Sequence, residues 1–179
     1  MSKEIHSLDC LRRQIVVGGS SGASLLHSLA AAGVLMNEHA QRILAHSAFP
    51  SSERTRTVEI AVLSVGALGH AEGATMPVIL RSAADRGLLP GALELAPHFR
   101  LQYADQPEAT IAPASRGRAP LGSVTVVSVP MSDDPTMPRG FYLRCMNGER
   151  WLRGYCCDDE HVWDPGDMLA FVSAPSTTR

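Results

Sequence analysis

The sequence has no excess of either charge, no long apolar run and no cysteine framework, and each absence closes off a class of function. Its 179 residues carry 16 Lys and Arg against 18 Asp and Glu, a formal charge of −2. No general electrostatic attraction to nucleic acid or to an anionic membrane is expected from that balance. Short arginine clusters (Arg12 and Arg13, Arg54 and Arg56, Arg116 and Arg118) lie among neutral or acidic neighbours without interleaved aromatics, and they read as solvated faces. No segment approaches the roughly 20 apolar residues of a membrane span. Residues 1–6 lack the basic stretch and apolar run of a secretory leader. A cytoplasmic protein with no membrane partner is therefore expected.

Catalytic signatures are missing too. There is no Gly-x-Ser-x-Gly elbow and no Gly-Lys-Ser/Thr ending of an NTPase loop, and Ser, His and Asp are too common for a triad to be picked by order alone. His70 and Glu72 stand two apart in a loop, which gives no geometric warrant for an acid/base pair. Cys10, Cys145, Cys156 and Cys157 are four thiols with two of them adjacent, so free thiols are expected rather than a disulfide scaffold. A zinc site from Cys145, Cys156, Cys157 and His161 is not expected, because the strand register separates Cys145 from Cys156 by about 20 Å at roughly 3.3 Å per residue. No cofactor and no metal are assigned.

What is present is ordinary globular composition, 45% hydrophobic and 19% charged, sufficient for one apolar core. The reading is a single α+β domain over residues 1–179. A helical subregion covers residues 8–49, and a strand-rich subregion with one helix at 75–87 covers residues 57–174. In the first, Leu25, Leu26, Leu29 and Ala32 form one helical stripe and Ala40, Ile43 and Leu44 a second. Gly33 suits a left-handed exit, and the second helix starts near Asn37 and ends before Pro50. Residues 57–63 alternate as a strand buried on one face. Gly73-Ala-Thr-Met-Pro then offers a threonine cap to a helix that ends at Gly87.

Beyond Pro90 the pattern turns to strands. Phe99, Leu101 and Tyr103 alternate with His98, Arg100 and Gln102, and residues 124–129 are β-rich. Residues 106–122 read as a mobile surface loop and residues 175–179 as a frayed tail. Asn147-Gly148 is a type I′ hairpin signal. It sets a register pairing Met146 with Glu149, Cys145 with Arg150, Arg144 with Trp151, Leu143 with Leu152 and Tyr142 with Arg153. The sheet is expected to be mostly antiparallel and to finish in this hairpin. Phe141, Leu143, Cys145 and Leu152 face the core, and Tyr142, Arg144, Trp151, Arg153 and Tyr155 share the other face.

That second face is the main candidate site. Arginines beside aromatics support each other on a wet sheet, and they also make a platform of the residue types that anchor protein interfaces. A second candidate is the row His98, Arg100 and Gln102, which on a strand face would present a titratable group, a cation and an amide in line. A third is the stretch from Gly18 to Ser24, Gly-Gly-Ser-Ser-Gly-Ala-Ser. It reads as a joint between two helices, or else as a strand, glycine turn and helix start that cradles the phosphate of a nucleotide or flavin.

The stretches Glu72-Gly-Ala-Thr through Gly87-Leu, Leu93-Glu-Leu-Ala-Pro-His-Phe-Arg-Leu-Gln-Tyr, Gly140-Phe-Tyr-Leu-Arg, Trp151-Leu-Arg-Gly-Tyr and Trp163-Asp-Pro-Gly-Asp together resemble an uncharacterised family of small bacterial intracellular proteins. The resemblance implies a bacterial, intracellular, single-domain chain and carries no activity, cofactor or site residue across. The leading expectation is a non-enzymatic protein that binds another macromolecule, a protein rather than a nucleic acid. The rivals are a small-molecule enzyme or nucleotide-binding protein using the Gly18 loop, and a nucleic-acid-linked regulator. Oligomeric state is not legible.

Overall fold

The computed structural model describes residues 10–109 and 120–174. In chain order these form β1 (Cys10–Val17), α1 (Gly22–Ala31), β2 (Leu35–Met36), α2 (Glu38–Leu44), β3 (Arg56–Ser64), β4 (Ala74–Thr75) and α3 (Met76–Ala84). There follow β5 (Leu88–Leu89), α4 (Leu95–Gln102), β6 (Val124–Val126), β7 (Gly140–Met146), β8 (Glu149–Tyr155), β9 (Val162–Trp163) and β10 (Met168–Ser173). The class is α+β. One eight-stranded sheet runs β1-β3-β10-β6-β7-β8-β2, with β5 also paired to β10, and β4 and β9 form a separate two-stranded ribbon. Pairing is antiparallel except for β10 with β6 and β2 with β8.

The amino-terminal third is not helical throughout, because β1 is an eight-residue strand paired along its whole length with β3. Leu11 and Ile15 stand four apart and satisfy a helical period as well as an alternating one. The β-branched run Ile15-Val16-Val17 and the partnership with β3 decide for the strand. Ile15 and Val17 are buried while Gln14 and Val16 face out. The part of the expected helical region in residues 8–9 lies outside the described residues. The two helices themselves stand as expected. Ser21 Oγ accepts from the Ser24 N–H, Asn37 Oδ1 accepts from the Ala40 N–H, and Gly33 exits α1 at φ 69°.

The second departure is α4. Phe99, Leu101 and Tyr103 alternate like a strand, yet residues 95–102 are helical. Leu95, Phe99 and Tyr103 also stand at a spacing of four. The rings of Phe99 and Tyr103 stack at 4.9 Å, as helical neighbours can. Pro97 falls in the first turn, where its missing N–H costs nothing. There are thus two helices after β3. Thr75 sits at the N-cap of α3 but its side chain makes no capping bond.

β3 is buried on both faces rather than one. Ile60 and Val62 join a core with β1, β6, β7, β8, α1, α2 and α4. Ala61 joins a second core with β10, α3 and Trp163 of β9, and Leu63 packs against it. The first core lies on the inner face of the sheet and the second on the outer face. Nor does the sheet finish in the hairpin: β10 follows it and inserts centrally between β3 and β6. Of the expected surface loop at 106–122, residues 110–119 lie outside the described residues. Its start is anchored, with Gln106 at 5% exposure. The expected tail at 175–179 also lies outside them. Among the described residues, no helix is long and apolar enough to cross a membrane.

Candidate functional site

Asn147 at φ 53° and Gly148 at φ 77° close the β7–β8 turn, and the register is the expected one, from Met146↔Glu149 to Tyr142↔Arg153. Phe141, Leu143 and Leu152 are fully buried on the inner face. Alternation therefore places Tyr142, Arg144, Trp151, Arg153 and Tyr155 on the outer face, all half-buried. The arginine–aromatic contact runs along β8 rather than across the hairpin, with the Arg153 guanidinium 5.3 Å from the Trp151 ring centroid. Arg144 donates to Met146 Sδ at 2.9 Å. Leu35 of β2 lies in register beside Trp151 and stays 38% exposed.

The same face becomes a cavity toward the middle of the sheet. Thr125, Tyr142 and Arg153 are register partners on β6, β7 and β8, so they form one row of polar side chains across three strands. Along β10 and β3 the row continues as Leu169 and Leu63. The chain leaving β8 folds back above it to β9. The resulting cavity of about 270 Å³ is lined by Thr125, Tyr142, Arg153, Tyr155, Trp163 and His161, together with Asn37, Gly154, Cys156 and Cys157. Trp163 fixes one wall through edge contacts to Tyr155 at 5.9 Å and to His161 at 5.1 Å.

Among the described residues, no carboxylate lines this cavity. Burial pushes the Tyr155 phenol and the Cys157 thiol up from their ordinary values, so both are neutral at pH 7. Two donors of the lining residues, Arg153 Nε and Trp163 Nε1, are buried without an acceptor among the described residues.

His98, Arg100 and Gln102 form no exposed row. On a helix, His98 and Gln102 share one side and Arg100 points elsewhere, and all three are engaged within the chain. His98 Nε2 accepts from the Gly18 N–H at 3.1 Å. Gln102 accepts from the Val16 N–H at 3.0 Å and donates to the Val16 carbonyl at 2.8 Å. Arg100, fully buried, donates to Gln106 Oε1 and to the Tyr103 carbonyl. Burial pushes its guanidinium down to about 10. Gln106, missed in the sequence because it opens a Pro- and Ala-rich stretch, in turn donates to the Leu143 carbonyl at 3.2 Å.

The stretch from Gly18 to Ser24 joins a strand to a helix, so the expected joint between two helices is corrected. Two of the N–H groups a phosphate would use are already taken: Gly18 by His98, and Gly19 by the Ser52 carbonyl at 2.6 Å. The glycines answer to chain packing. A Cβ on Gly18 would lie 2.2 Å from the Arg54 carbonyl oxygen, and one on Gly22 would lie 2.1 Å from that of Leu44. Glu94, 2% exposed, holds the same region by accepting from the Ser52 N–H at 2.9 Å and pairing with Arg56 at 3.1 Å.

His70 bonds Ser82 Oγ on α3 at 2.9 Å rather than pairing with Glu72. All four cysteines are free thiols, Cys145 buried and Cys10 and Cys156 exposed. Among the described residues, no three His, Cys, Asp or Glu side chains gather as a metal site. No family model, no curated protein and no solved structure matches the chain.

Proposed function

We propose that this chain is a non-enzymatic binding protein that recognises another protein through the outer face of its hairpin, with Tyr142, Arg144, Trp151 and Arg153 as contacts and Leu35 beside them. The observation that carries the reading is the pairing of Arg153 with Trp151 at 5.3 Å next to a Leu35 that is 38% exposed. A rigid aromatic already backed by an arginine has little side-chain entropy left to lose on association, and such residues dominate interface energetics. The two arginine cations on this half-buried face favour a partner that presents carboxylates around an apolar centre. Burial keeps Tyr155 and Cys157 protonated, so neither supplies a nucleophile or base at neutral pH, which favours binding over catalysis.

The test is purification of the protein from its native source, with mass spectrometry of any stoichiometric companion, followed by measured affinity for that companion. Trp151→Ala is expected to weaken binding by about 2 kcal/mol or more while the variant stays folded. A companion that binds Trp151→Ala and Leu35→Ser as tightly as the wild type would remove the hairpin face from the interface.

A further inference from the structure

The cavity on the outer face of the sheet, beside the hairpin platform, has features that a protein–protein contact does not explain. We propose that it is a binding site for a small aromatic carboxylate. This goes beyond the partner reading, with which it shares Tyr142 and Arg153, and does not depend on it.

Thr125 carries the argument first. It is the middle residue of β6, only 2% exposed, and its neighbours Val124 and Val126 are buried apolar residues. Thr125 lines the cavity, and between two valines it is the one polar side chain that β6 offers there. Arg153 stands two strands away in the same row, about 10 Å off at 4.8 Å per strand. Arg153 also lines the cavity, and its guanidinium stands 5.3 Å from the Trp151 ring centroid at the cavity's edge of β8. A ligand bridging the row meets a cation at one end and a hydroxyl at the other, with Tyr142 between them.

Charge selects an anion. Arg153 is the one group among the lining residues that is cationic at every working pH, and Tyr155 and Cys157 are kept neutral by burial. The nearby acidic run Asp158-Asp159-Glu160 is exposed, and Asp159 is tied to Arg139 at 2.6 Å. Shape selects a flat body. Tyr142, Tyr155 and Trp163 supply ring walls, the last two locked edge to face, and flat rings pack favourably against such walls. Size keeps the ligand small, since about 270 Å³ lies below the usual range of roughly 300–1,000 Å³ for drug-sized ligands. A single planar guanidinium matches a carboxylate through two parallel N–H···O bonds.

The experiment titrates the full chain with benzoate, phenyl phosphate and benzylamine, following tryptophan fluorescence and thermal unfolding. Benzoate is expected to saturate with a Kd on the order of 1 mM, given the affinity available to so few atoms. Arg153→Gln should weaken it at least tenfold and Thr125→Val at least threefold, while Leu35→Ser stays within twofold. If Arg153→Gln does not fold, Thr125→Val and Arg153→Lys decide. Benzylamine binding as tightly as benzoate, or no saturation by about 50 mM benzoate, overturns the proposal. So does unchanged benzoate affinity in the folded variants. Phenyl phosphate binding more than tenfold tighter than benzoate overturns the carboxylate assignment. Leu35→Ser losing a protein companion while keeping benzoate separates this site from the partner face.

Discussion

Alanine at Gly18 and alanine at Gly33 separate what backbone conformation costs from what close packing costs. Both glycines have positive φ, 92° and 69°. A Cβ on Gly33 meets nothing within 4 Å, so Gly33→Ala carries only the left-handed penalty of about 1–2 kcal/mol. The reduced freedom of the unfolded chain offsets about 0.4–1 kcal/mol of that. The expected net loss is about 1 kcal/mol.

At Gly18 the same Cβ lies 2.2 Å from the Arg54 carbonyl oxygen, so residues 52–54 must move. That segment carries the Ser52 carbonyl bonded to Gly19 and the Ser52 N–H bonded to Glu94, while the Gly18 N–H is bonded to His98. Losing two or three such bonds at about 1 kcal/mol each, on top of the conformational term, gives about 3–5 kcal/mol. At about 2–4 °C per kcal/mol for a chain of this size, the melting point should fall by about 6–20 °C. Urea unfolding followed by circular dichroism measures both variants. A Gly18→Ala loss within about 1 kcal/mol of Gly33→Ala would refute the packing explanation and reopen the loop as a site shaped for a ligand.

His98 should make stability depend on pH. Burial lowers its pKa below the ordinary 6.5, Arg56 lowers it further and Glu94 partly opposes them. Above 6.5 the histidine is neutral in both states and its contribution is complete. As pH falls from 6.5 toward the lower folded value, the unfolded chain takes up the proton first, and unfolding becomes easier by up to about 1.4 kcal/mol per pH unit. His98→Gln should flatten that slope in urea titrations between pH 7 and 5. Asn37→Ala should cost about 2–3 kcal/mol, from the lost α2 cap and from two unmet backbone groups at Gly154. Asn37→Ser, which keeps the cap alone, should recover about half of that in the same assay. Arg100→Met should cost about 3 kcal/mol or more by leaving Gln106 Oε1 and the Tyr103 carbonyl without a donor. Arg100→Lys should not restore it, because a single ammonium nitrogen does not reproduce the planar fork whose two nitrogens reach the two acceptors; chemical denaturation of both variants checks this.

The hairpin was legible because its turn depends on two residues alone. Asn147 and Gly148 tolerate positive φ, and once they close the turn every pairing along β7 and β8 follows. The caps of α1 and α2 were legible for the same local reason. β1 and α4 were not, since Leu11 and Ile15 in one, and Phe99 and Tyr103 in the other, fit two periods at once. In both segments the packing of distant partners decides. The half-open face of Trp151 and Arg153 could be read from alternation. The cavity could not. Thr125 joins Tyr142 and Arg153 only through strand order, and Trp163 reaches them only through a return of the chain. One signal did exist, a lone threonine between two buried valines.

The sheet closes at both margins in side chains. Past the end of β2, the Asn37 amide exchanges hydrogen bonds with both backbone groups of Gly154. At the opposite margin the Gln102 amide does the same for Val16. Each primary amide sets an N–H donor and a carbonyl acceptor at the spacing of a peptide unit, so it imitates one residue of a neighbouring strand. An unpaired margin is where a foreign strand adds and aggregation begins. Here an incoming strand would find those two positions already taken, and Val16, an exposed β-branched residue on an outermost strand, is tolerable in solution because its main chain is already plugged.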